Sequence, residues 1–212
     1  MYMLAATAEA CSSGVFSIIK DTVTLSLAGG GLYLAWSGLS AWKREHVGKR
    51  DIELCQSVIT SFYEAHDKLR ALRSPFAYPE SESEGRARRE NEADDERRVR
   101  DQHYVPLARL EKQSAFWSDF FGRRFLMRAI FSESGNAPYL LVDEALREFR
   151  AAASTRYASI QRGRIEIDSE TNRGFDRILW EVSDDDKLNS KLTEAIKKME
   201  DVCVPIIRSG RR

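Results

Sequence analysis

Apolar residues in this chain return every three or four positions and almost never in strict alternation. That spacing places them on one face of a helix, whereas a half-buried strand needs period two. Over residues 50–73, Ile52, Cys55, Val58/Ile59, Phe62, His66, Leu69 and Leu72 form one stripe, with Asp51, Glu53, Glu64, Asp67 and Arg70 opposite. Ser74-Pro75 ends it, because the residue before proline is pushed out of the helical region. Leu107, Leu110, Ser114, Trp117, Phe121 and Phe125 make a second, aromatic stripe that runs to about Phe131, with Pro106 kinking or restarting the helix. Residues 132–137 read as a loop, Asn136 as a cap and Pro138 as the start of the next helix. Val142, Ala145/Leu146, Phe149, Ala153, Tyr157 and Ile160 are its apolar face, closed by Gly163. Phe175, Ile178, Leu179 and Val182 suggest a brief helix. Ser183 followed by Asp184, Asp185 and Asp186 starts the last one, a cap with carboxylates at the positive end of the helix dipole. Leu188, Leu192, Ala195/Ile196, Met199, Val202/Cys203 and Ile206 line that helix, and Pro205 limits it. There is no fixed-period repeat. Facing stripes of this kind predict an all-α chain with an antiparallel bundle of about four helices.

Residues 22–42 do not belong to that pattern. TVTLSLAGGGLYLAWSGLSAW carries no charge and is bracketed by Lys20-Asp21 and Lys43-Arg44. A helix rises about 1.5 Å per residue, so about 20 apolar residues cross a hydrocarbon core of about 30 Å. The length predicts an N-terminal transmembrane helix. Val23, Leu25, Leu27, Leu32, Leu34 and Leu39 favour the bilayer, while three consecutive glycines, Gly38 and several serines weaken the case. Trp36 and Trp42, followed by Lys43 and Arg44, fit interface anchors. Lys43, Arg44, Lys49 and Arg50 outweigh the single Lys20, so the positive-inside rule places the N-terminus outside and the bulk of the chain in the cytoplasm. A cleaved signal peptide fits poorly, because Glu9 and Asp21 precede the run and the run is long and late. The competing expectation is a soluble, all-helical assembly protein in which this helix packs inside an oligomer core. Ala28, Gly31, Ala35 and Gly38 share one helical face. Such a face is either a seam for a homodimer in lipid or an accident of a glycine-rich helix.

The expected organisation is a short extracytoplasmic segment 1–21, the membrane helix 22–42, an amphipathic helix and turn 43–79, a charged stretch 80–103, and the rest of the bundle 104–212. Residues 80–101 are almost entirely charge, too polar to bury a face by pattern. They read as a solvated helix held by Glu–Arg pairs or as a disordered linker.

The run GLSAWKREHVGKRDIELCQSVITSFYEAHDKLRALRSPF resembles the juxtamembrane segment of an uncharacterised group of bacterial single-span, membrane-anchored helical proteins. Trp42-Lys43-Arg44 and Arg73-Ser74-Pro75-Phe76 carry the resemblance. It implies a topology and no activity or site.

Chemistry is sparse in the pattern. The 33 basic and 33 acidic residues cancel, which argues against nucleic acid as the main partner. His46, His66 and His103 have no metal-ligand spacing. Cys11, Cys55 and Cys203 form no CxxC pair and fit reduced thiols, with Cys55 and Cys203 packed on apolar helix faces. Asp168, Glu170 and Asn172 suggest a calcium loop, but Arg173 stands where that loop needs glycine and Leu179 where it needs a carboxylate. Arg123, Arg124 and Arg128 beside the aromatic stripe read as solvated or lipid-facing. No catalytic residue, cofactor or metal site is expected. The expected partners are membrane lipid, a second copy through the membrane helix and an unidentified cytoplasmic protein. An enzyme built from scattered carboxylates and arginines remains open.

Overall fold

The computed structural model describes residues 3–163, 170–180 and 186–209; side chains at 3–23, 28, 40, 41 and 43–47 are outside the description. The chain is 87% helix, with no strand among the described residues. The helices are α1 (Met3–Leu72), α2 (Pro79–Glu82), α3 (Asp94–Lys112), α4 (Ser114–Gln161), α5 (Glu170–Leu179) and α6 (Lys187–Ser209). Two compact units divide within α1, residues 1–51 and 52–212.

The second unit is an antiparallel helical bundle. Its centre is a ring triad of Phe62 on α1 with Phe120 and Tyr139 on α4, at centroid distances of 4.8–5.0 Å. Pairings fix the directions. Ser57 meets Arg123 while Lys68 lies over Phe116, so α1 runs against the first part of α4. Tyr63 bonds Glu200 and Arg73 pairs with Asp186, so α6 runs back along α1. The Tyr104 ring lies 5.3 Å from that of Tyr157 and Arg124 reaches Asn136, so α3 and early α4 together oppose late α4. The stripes expected from the sequence supply most of the core: Cys55, Val58, Phe62, Leu69 and Leu72 from α1, Val142, Ala145 and Phe149 from α4, and Leu188, Leu192, Met199 and Cys203 from α6.

The reversal of α4 takes one residue, not the expected six-residue loop. Ser132 adopts φ 55° and ψ −136°, and helix resumes at once. Asn136 is therefore no helix cap. It is buried in the corner, accepting from Arg124 Nε at 2.6 Å and donating to Glu133 at 3.0 Å. Gly135 permits the fold-back, since a Cβ there would lie 2.5 Å from the Met127 carbonyl oxygen. Ser132 is exposed and occupies a backbone region that essentially only glycine enters without strain. Ser132→Gly is accordingly expected to stabilise the fold by about 1 kcal/mol despite the added freedom of the unfolded chain, read as a higher urea midpoint at unchanged slope.

Two prolines placed at expected breaks lie inside helices. Pro106 is buried in α3, and α6 continues past Pro205 to Ser209. Gly163 follows the end of α4 with φ 75°, the left-handed stop expected of it. Of the acidic cap before α6, Ser183, Asp184 and Asp185 lie outside the described residues; Asp186 accepts from the backbone N–H groups of Leu188 and Asn189.

The charged stretch is neither a long solvated helix nor structureless. It holds α2, a turn, and the start of α3 at Asp94. Arg86, Glu92, Arg100 and Asp101 are buried within it. Burying a charge is costly unless each partner is met, and here each is. Arg86 donates to both oxygens of Glu92 and to Asp101, and Arg100 donates to Glu92.

Within the first unit, residues 22–42 are helical as expected. Among the described residues no helix is long and apolar enough to cross a membrane. Gly29, Gly30, Gly31 and Gly38, with Ser26 and Ser37, dilute the leucines over a length that would otherwise suffice.

Candidate interaction surfaces

The first surface is the apolar stretch of α1. Leu25, Leu27, Leu32, Leu34, Trp36 and Leu39 are each 63–77% exposed. At 100° per residue, Leu25, Leu32, Trp36 and Leu39 fall on one side and Leu27 and Leu34 on the opposite side. A helix apolar on opposite sides needs cover from more than one direction. Of the small-residue face, Gly31, Ala35 and Gly38 are exposed, and a Cβ added at either glycine would meet nothing within 4 Å. The Ala28 side chain lies outside the described residues. Trp36 and Trp42 are both exposed, whereas the Lys43, Arg44 and His46 side chains also lie outside the description.

The second surface is a groove of about 630 Å³ in the bundle. It lies between early α4, with the end of α3, and the α4 segment around Leu146. It corrects part of the aromatic stripe. Leu110 and Trp117 are buried as expected, but Phe121 is half-buried and Phe125 is 73% exposed. The reason is that early α4 is apolar on two faces. Phe116, Phe120 and Met127 pack toward the bundle centre, while Trp117, Phe121 and Phe125 line the groove. The first face packs against Phe62 of α1, whereas on the second, among the described residues, Trp117 is buried and Phe125 stays exposed. The sequence signal for this was present, since Phe116 and Phe120 lie about 100° from the stripe that contains Trp117.

Arg124, Arg147 and Arg150 also line the groove, against one acid, Asp143. Arg147 pairs with Asp143 at 3.1 Å, and Arg124 bonds the uncharged Asn136 amide, so positive charge remains. The other two arginines of the expected basic spot are held by neighbours: Arg123 by Ser57 and Asp119, and Arg128 by Glu133.

The remaining polar clusters hold helix ends. Arg109 donates to the carbonyls of Ser74 at 2.8 Å and Phe76 at 2.7 Å, and forks onto Glu82. It thus closes the turn after α1 and, by that bond, keeps the Glu82 carboxyl below its ordinary range. Arg73 does the same for α5, donating to the carbonyls of Arg177, Ile178 and Trp180.

His66 Nε2 lies 2.8 Å from the Asn189 side-chain oxygen. Burial, then the charge of Arg156, pushes the His103 pKa down. Arg156 is itself buried, 3.8 Å from Asp176, with Nε and Nη1 lacking a hydrogen bond among the described residues. Cys55 and Cys203 are buried and form no disulfide, and burial pushes the Cys203 pKa up. Asp168 of the suspected calcium loop lies outside the described residues. Among the described residues no three His, Cys, Asp or Glu side chains gather as metal ligands.

No family model, curated protein or solved structure matches the chain.

Proposed function

We propose that the protein is a membrane-associated interaction module, with residues 22–42 as its apolar attachment and the helical bundle as its protein-binding part. The observation that carries this reading is the exposed apolar helix, bare on opposite sides and free of charge from Thr22 to Trp42. Single exposed leucines are ordinary on a protein surface, whereas a contiguous set of this kind marks a binding or membrane surface. Dilution by glycine makes a lone span marginal, so attachment in lipid is assisted by a second copy packed along Ala28, Gly31, Ala35 and Gly38. Trp36 and Trp42 anchor the interface, Lys43 and Arg44 meet anionic headgroups, and the basic flank sets an N-out, C-in topology. The resemblance of the Trp42-Lys43-Arg44 junction to membrane-anchored helical proteins supports the same reading.

A second reading has its own support. No described helix is long and apolar enough to cross a membrane, which favours a soluble oligomer whose core is built from this helix. Membrane fractionation of the full chain separates the two. The first reading expects the protein in the membrane pellet, resistant to alkaline carbonate, extracted by detergent, and released into the supernatant by Leu32→Arg with Leu34→Arg. Recovery of the wild type in the detergent-free supernatant as an oligomer that the same double variant dissociates would sink the membrane reading and leave the second.

A further inference from the structure

We infer that the groove between early α4 and the α4 segment around Leu146 is a docking site for an acidic amphipathic helix of a partner protein. This rests on reading the bundle as a protein-binding module and is independent of where residues 22–42 are seated. Three observations support it.

The first is shape. One wall of the groove runs from Leu110 to Phe125 and the other from Asp143 to Arg150. Residues 143 to 150, the shorter wall, span about 10 Å at 1.5 Å per residue, so the groove takes about two turns of a partner helix. The flanking helices run antiparallel, so a third helix can seat its apolar ridge between them.

The second is the groove's own surface. Ser114, Ser118 and Gly122 recur at spacing four along it, and all three are exposed. Glycine inside a helix costs about 1 kcal/mol relative to alanine. Gly122 has no compensating contact, because a Cβ there would meet nothing within 4 Å. Small side chains beside the large rings of Trp117 and Phe121 let an incoming helix approach closely, as one that buries Phe125 must.

The third is charge. Three arginines face one carboxylate, so complementary flanks carry Glu or Asp. An acyl chain with an anionic head shares the charge, but it favours an enclosed pocket. This surface is open along the Ser114, Ser118, Gly122 and Phe125 positions.

The test uses the full chain in detergent and two fluorescein-labelled synthetic helices. Both carry leucine at i, i+3, i+4 and i+7; one has glutamate on its flanks and the other lysine. Fluorescence anisotropy is expected to show saturable binding of the glutamate peptide and none of the lysine peptide at tenfold higher concentration. Arg150→Glu should weaken binding about tenfold. Gly122→Leu should abolish it while leaving the circular dichroism intact and the thermal midpoint no lower than that of the wild type, since the added side chain enters open space and leucine favours the helix over glycine. The inference is overturned if the glutamate peptide does not bind, if both peptides bind alike, or if Gly122→Leu binds as wild type. It is equally overturned if Gly122→Leu splits a dimer of the wild-type protein, which would make the occupant a second copy. Competition by phosphatidylglycerol micelles that is lost in Gly122→Leu would assign the groove to lipid instead. Because Gly122→Leu leaves residues 22–42 untouched, membrane fractionation of this variant keeps the attachment reading separate from the groove.

Discussion

Gly135→Ala is expected to lose about 3 kcal/mol of stability, the upper part of the range for forced overpacking. The methyl would lie 2.5 Å from the Met127 carbonyl oxygen and 3.0 Å from the Met127 carbonyl carbon. Both are backbone atoms, so no rotamer change relieves the contact. Relief requires opening the corner at Ser132, which pulls Asn136 away from Arg124 and shifts Tyr139 from Phe62 and Phe120. Urea unfolding followed by circular dichroism should show a lower midpoint at similar slope. A loss within experimental error would mean that the corner is not close-packed. Gly122→Ala is the matched control. It is also a helical glycine of α4, but its Cβ would enter open space, so a gain of about 1 kcal/mol is expected.

Glu92→Gln is expected to cost about 3 kcal/mol, because it leaves the buried guanidiniums of Arg86 and Arg100 facing an amide. The lower end of the range for a broken buried pair is appropriate. The network lies just beneath the surface, and Arg97 and Glu96, which pair with its members, are about half exposed. The same residue sets a pH dependence. Hydrogen bonds from Arg86, then from Arg100, hold the Glu92 carboxyl down at about 2, against an ordinary value of 4.5. A depressed folded-state pKa stabilises the fold above the ordinary value, and that contribution is lost as pH falls through the window from about 4.5 to about 2. Wild-type stability should therefore decline over that window, and the Glu92→Gln difference should shrink there. A wild type and variant that fall in parallel would exclude Glu92 as the titrating group.

The bundle was largely legible because its buried faces have helical period. The stripes of α1, late α4 and α6 went into the core almost residue for residue, for burial follows the side on which apolar atoms recur. The stops at Ser74-Pro75 and Gly163 were legible because proline and glycine restrict or free local backbone angles. The α4 corner was not. Polar and small residues over 132–137 suggested a loop, but the contact that permits the one-residue reversal joins Gly135 to Met127, eight positions back across the turn. The charged stretch failed for a related reason. Its polarity signals solvent, and only the pairing of Arg86 with Glu92 and Asp101 makes burial tolerable.

The groove shows the same division from the functional side. Aromatic residues on two faces of early α4 can be read from sequence, but which face is covered depends on α1, which lies more than forty residues earlier in the chain and packs Phe62 against Phe120. The sequence by itself determined that the chain is helical, which faces of most helices are buried, and where a charge-free apolar helix lies. Those are consequences of local periodicity and composition. The tertiary structure decided the corner at Ser132, the buried arginine–carboxylate network and the open aromatic face. Each depends on whether a group distant in sequence arrives to clash, pair or pack.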